Sequence, residues 1–101
     1  MDVQTLLAEA KIRFNHNVAK ETLKEKYNSK LIIAEQGGLW KASPELISVL
    51  NTFDTEKIVL IDQHNTPVEV DRVLLLDKIK TVYITVMNDF YKEWKDVESK
   101  R

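Results

Sequence analysis

The sequence predicts an α+β fold: a small antiparallel sheet of two hairpins with N- and C-terminal helices packed on it, in the order α-β-β-α-β-β-α. Three observations predict it. Apolar residues recur at helical spacing at both ends of the chain, two short β-branched runs are each followed by turn chemistry, and a Ser-Pro-Glu helix start lies between them. A sheet this small has an alternative form, a strongly curved partial barrel with added helices.

The first element follows from Leu6, Leu7, Ala10, Phe14 and Val18, which recur every three or four residues after Val3 and predict a helix packed on one side. Asp2 is its expected cap. The stripe is interrupted at Asn15-His16-Asn17, a point of poor propensity, and resumes weakly at Leu23 and Tyr27, so the helix is expected to reach about residue 27. Leu31-Ile32-Ile33-Ala34 and Leu39-Trp40-Lys41-Ala42 then flank Gly37-Gly38, the only glycines of the chain. A two-residue hairpin turn of a primed type needs positive φ, so the glycine pair predicts the bend and presents Trp40 just after it.

Ser43-Pro44-Glu45 combines a capping hydroxyl, a proline suited to the first helical position and an acid at the positive helix end. A short helix from Pro44 to about Thr52 follows, with Leu46 or Ile47, Leu50 and Phe53 expected inward. Ile58-Val59-Leu60-Ile61 reads as a strand covered on both faces or centrally placed. Gln63-His64-Asn65-Thr66 turns the chain into Pro67-Val68-Glu69-Val70, whose proline marks an edge strand or a strand start. Asp71 is expected to cap the last element, where Leu75, Leu76, Ile79, Val82, Tyr83, Val86, Met87, Phe90, Trp94 and Val97 keep helical spacing over about seven turns. A strand through Val82–Val86 competes, but period two lasts only those five residues.

At 101 residues, 44% hydrophobic and 31% charged, the chain reads as one folded domain spanning 1–101. A net charge of −1 argues against a protein held to nucleic acid mainly by counterion release. There is no cysteine, which excludes disulfides, thiolate nucleophiles and thiolate zinc sites. The first residues are amphipathic rather than basic and then apolar, so no signal peptide is expected. No apolar run approaches the length of a membrane span, and no membrane partner is expected.

Catalytic, metal and cofactor chemistry find no constellation, and a non-enzyme is expected. His16 has no second ligand one turn on and reads as a surface helix residue. Asp62, His64 and Glu69 could imitate a carboxylate-histidine metal site, yet at a hairpin tip such residues more often form solvated turns. Ser43 is explained as a cap, and Gly37-Gly38 lacks the spacing and following helix of a phosphate loop.

Two residue sets remain. Lys20, Lys24, Lys26 and Lys30, with Trp40 and Lys41, form a candidate nucleic-acid contact in which the indole offers a stacking platform. Glu21 and Glu25 interleave with those lysines, however, in the pattern of a solvated helix face. Tyr83, Phe90, Tyr91, Trp94 and Val97 form a candidate protein interface, because a helix of about 40 Å outruns a compact domain of this length and its end is expected to project. The alternative is that the first helix covers them.

Gly37-Gly38-Leu39-Trp40-Lys41-Ala42-Ser43-Pro44-Glu45-Leu46-Ile47, Asn65-Thr66-Pro67-Val68 and Met87-Asn88-Asp89-Phe90-Tyr91-Lys92-Glu93-Trp94 resemble small uncharacterised proteins of tailed phages infecting marine cyanobacteria. The resemblance covers most of the chain and implies a host-cytoplasmic or virion-associated protein. It brings no catalytic residue. The function expected is a non-enzymatic phage accessory or assembly protein, self-associating and contacting phage or host proteins. The alternative is a small oligomeric RNA- or single-stranded-DNA-binding protein.

Overall fold

Residues 3–30 contain neither glycine nor proline and are rich in strong helix formers, so nothing in them stops a helix once begun. In the computed structural model, which describes residues 3–99, this helix, α1, is continuous over Val3–Lys30. Asn15-His16-Asn17 does not break it. Asp2, the expected cap, lies outside the described residues.

Strands β1 (Ile32–Glu35) and β2 (Gly38–Lys41) pair antiparallel with Glu35 opposite Gly38. The two-residue turn is therefore Gln36-Gly37, with φ of 49° and 78°, one residue earlier than the glycine pair suggests. Gly38 has a different reason to be glycine. A Cβ there would lie 2.5 Å from Cζ2 of the Trp40 ring, so the missing side chain is what lets the indole pack across the strand.

Helix α2 (Pro44–Thr52) begins as expected, with Ser43 Oγ accepting a hydrogen bond from Leu46 N at 3.2 Å. Phe53, expected inward, forms the C-cap and is 48% exposed; Leu50 alone of its helix is fully buried. Strands β3 (Lys57–Ile61) and β4 (Pro67–Asp71) pair antiparallel, Ile61 opposite Pro67, so β4 does start at the proline. β3 is not covered on both faces: Val59 and Ile61 are exposed while Ile58 and Leu60 pack on the core. Helix α3 (Arg72–Ser99) is capped by Asp71, whose Oδ1 accepts from Leu74 N at 3.0 Å, and the helical period prevails over the competing strand.

The class and element order are those the sequence predicts, but the hairpins form two separate two-stranded sheets rather than one, and no barrel. Gln63 N donates to Leu39 O at 2.8 Å between them, and Asp62 completes the junction through its side chain. The core gathers where β2, β4, α2 and the first turns of α3 meet, around Trp40, Ala42, Leu50, Val70, Leu75 and Ile79. Arg72 closes its lower side, donating through Nη1 to Leu50 O at 2.9 Å and through Nε to Thr55 O at 2.6 Å, which satisfies a carbonyl at the end of α2.

From this head α3 runs back along the C-terminal half of α1, and beyond the end of α3 the other half of α1 continues without it. The molecule measures 66 × 24 × 19 Å with a radius of gyration of 19.4 Å, against roughly 13 Å for a compact chain of this length. Head, two-helix stalk and single-helix tip follow one another along the long axis.

Candidate functional site

The stalk brings part of the two residue sets that the sequence singles out against each other, the lysines of α1 and Phe90 and Trp94 of α3. Tyr27 and Phe90 meet edge to face with ring centroids 5.5 Å apart, and Phe90 lies 5.6 Å from Trp94. Lys20 and Lys24 sit over the Trp94 ring at 4.8 and 5.8 Å, and Lys30 over Tyr27 at 4.7 Å. Cation–π contacts of this kind contribute about 0.5–1 kcal/mol each where exposed. The lysines also meet carboxylates: Lys20 pairs with Glu98, Lys26 with Glu93 at 2.9 Å and Lys24 with Glu21 at 3.4 Å.

At the centre of the seam the Tyr27 hydroxyl donates to Glu93 Oε1. That bond, with burial of the ring, pushes the phenol from 10.0 up to about 12. The same bond, helped by Lys26, holds the Glu93 carboxyl below its ordinary range.

The structure places the remaining members of the two sets apart from this seam or only partly in it. Trp40 is only 2% exposed, with Nε1 donating to Glu35 O at 2.9 Å, so it is a core residue and offers no face to a base. Lys41 is exposed on β2, opposite Ile32 at the open end of the first hairpin. The C-terminal helix does not project bare: Phe90, Trp94 and Val97 are half-buried, Phe90 and Trp94 by the seam. Tyr83 packs on the core, while Tyr91 remains 58% exposed.

Asp62 and His64 do not assemble a metal site, and no cluster suited to a metal occurs among the described residues. Asp62 is buried, and its carboxylate accepts hydrogen bonds from Leu39 N (3.0 Å), Thr66 N (3.0 Å) and His64 N (2.9 Å). Those donors lower its pKa. Sequence reading takes it for a solvated turn residue, although Asp followed by an amide two residues on is an Asx-turn signature. Gln36 makes a second bridge, its amide accepting from Asp71 N at 2.7 Å and donating to Asp71 O at 3.2 Å. His16 is half-buried rather than on the surface, and its Nε2 has no hydrogen-bond partner among the described residues. It lines, with Ile12, Arg13 and Val97, an open concavity of about 600 Å³ where α3 ends.

The feature that sequence reading misses is the tip. Val3, Leu6, Leu7, Phe14 and Val18 are 70%, 51%, 64%, 66% and 47% exposed, so among the described residues the stripe expected to pack on the body is left largely uncovered. Its phase explains why. Five residues separate Val18 from Leu23, an advance of about 140° beyond a full turn. Leu23 and Tyr27 are the buried residues of α1, and the stripe before them points to a different side of the helix. Among the described residues no helix is long and apolar enough to cross a membrane, so the stripe is not part of such a span. Compared with known proteins, the chain matches no family model, and neither a curated protein nor a solved structure matches it.

Proposed function

We propose that this chain is a non-enzymatic accessory or assembly protein that acts through protein contacts, self-associating through the projecting half of α1. The observation that carries the reading is the exposed stripe of Val3, Leu6, Leu7, Phe14 and Val18 on a helix that outruns the rest of the molecule. Contiguous apolar surface of this kind marks a contact site. A lone helical segment of this length is also marginal in water, and a partner's apolar face stabilises it. The resemblance to cyanophage proteins supports an accessory or virion-associated setting, with phage or host proteins as further partners.

The interface expected on Tyr83, Phe90, Tyr91, Trp94 and Val97 moves, on this reading, to α1, because Phe90 and Trp94 are already engaged in the stalk and Tyr83 packs on the core. Sedimentation equilibrium on the wild type and on a Leu7→Glu/Phe14→Glu double variant tests it. The wild type is expected to sediment above monomer mass in a concentration-dependent way, and the variant as a monomer with an unchanged near-UV spectrum from its buried Trp40. A wild type that stays monomeric at high micromolar concentration would overturn the reading.

A further inference from the structure

We propose that the occupant of the stripe is a second copy of this chain, docked antiparallel across a two-fold axis that passes beside Ala10. The proposal rests on the protein-contact reading above and adds the geometry of the pair.

The spacing of the stripe is self-complementary. Val3, Leu7, Phe14 and Val18 lie symmetrically about the midpoint between Ala10 and Lys11. An antiparallel copy centred there sets Val3 against Val18 and Leu7 against Phe14, twice each. At the axis the small Ala10 lets the two helices approach closely, while the long Lys11 stem at the edge of the stripe turns its ammonium into water. An isologous pairing of this kind uses one surface twice and closes as a dimer.

Charge selects antiparallel over parallel. Glu21 and Glu25 continue the azimuth of the stripe toward the head. A parallel pair would bring each against its own copy, which is repulsive. In the antiparallel pair the two copies of Glu21 lie about 30 Å apart along the helix axis, and the repulsion is absent. The end of α3 does not obstruct this, because it meets α1 on the side of His16 and Lys20, well round the helix from the stripe.

The area is sufficient. The stripe from Val3 to Val18 is about 24 Å long, and pairing two such faces removes on the order of 1,000 Å² from water, near the lower bound for a specific interface. The product is a dumbbell with a head at each end and the paired tips in the middle.

The native chain has no cysteine, so single introduced cysteines report the geometry directly. Val3→Cys and Val18→Cys proteins, one of them 15N-labelled, are oxidised separately and as a mixture, and the products are weighed by mass spectrometry. Both positions are exposed, so the substitutions leave the head untouched. In the antiparallel pair two copies of position 3 are separated by about 22 Å, beyond disulfide reach. The expected result is a mixed-isotope disulfide dimer as the dominant product of the mixture and only background dimer from either variant alone. Val3→Cys dimerising with itself as readily as in the mixture would overturn the antiparallel geometry while leaving self-association standing. No dimer from any sample, together with a monomeric wild type by sedimentation, would overturn both.

Discussion

Tyr27 and Glu93 show how two side chains set the working range of the stalk. The folded phenol is raised to about 12, so the stability it contributes is present below its unfolded value of 10.0 and is lost as pH rises through about 12. The Glu93 carboxyl is lowered, so its contribution is present above the ordinary glutamate value and is lost as pH falls through the folded one. Ultraviolet titration is expected to show one tyrosine ionising near 12. Glu93→Gln should bring that titration back toward 10.0. A titration unchanged by the substitution would mean that the hydroxyl has another partner.

Asp62 acts in the same direction as Glu93 but in the head. Its carboxylate holds amides from both hairpins, and its lowered pKa means that acid removes the link. Asp62→Asn is expected to lower the melting temperature at neutral pH and to flatten its decline below about pH 4. Differential scanning calorimetry across that range reads both effects. An acid limb as steep in the variant as in the wild type would assign it to other carboxylates.

At the scale of elements, the first hairpin separates two reasons for glycine that the sequence presents as one. Gly37 has a φ of 78°, and a Cβ there would meet nothing within 4 Å, so Gly37→Ala strains only the backbone, by about 1–2 kcal/mol. Gly38→Ala instead drives a methyl into the Trp40 ring and is expected to cost about 1–3 kcal/mol. Near-UV circular dichroism distinguishes them, since only the second should disturb the tryptophan signal. Equal spectra for the two variants would return both glycines to the turn.

The elements themselves are legible because their signals are local. Ser43 and Asp71 cap where expected, Pro67 opens β4, and the long period of α3 outlasts the five-residue alternation that competes with it. What is not legible depends on relations between elements. The junction at Asp62 needs the second hairpin to meet Leu39, and the turn at Gln36 is accompanied by a bridge to Asp71, thirty-five residues away. The arrangement of the candidate residues is hidden for the same reason. Lysines and aromatics that look like two separate surfaces are the two sides of one seam.

The tip is hidden by something simpler. Apolar residues at three- and four-residue steps look like one stripe, and the five-residue step between Val18 and Leu23 is easy to pass over. Counting that step in degrees divides α1 into a face for α3 and a face for something else.

At the scale of the whole molecule, these parts give a graded object. A head with a packed core holds one end, a stalk of rings, lysines and carboxylates carries the middle, and a helix with an exposed apolar stripe extends from the far end. On the proposed reading the contact surface lies far from the core, so substitutions in the tip should change association without melting the head. Two copies overlapped along their tips would span about 110 Å, twice the length of 66 Å less the shared helix. Small-angle X-ray scattering over a concentration series tests this most directly. A maximum dimension rising toward about 110 Å, with the Leu7→Glu/Phe14→Glu variant remaining near the single-chain length, is the expected result. A wild type whose maximum dimension stays near 66 Å at every concentration would contradict the account.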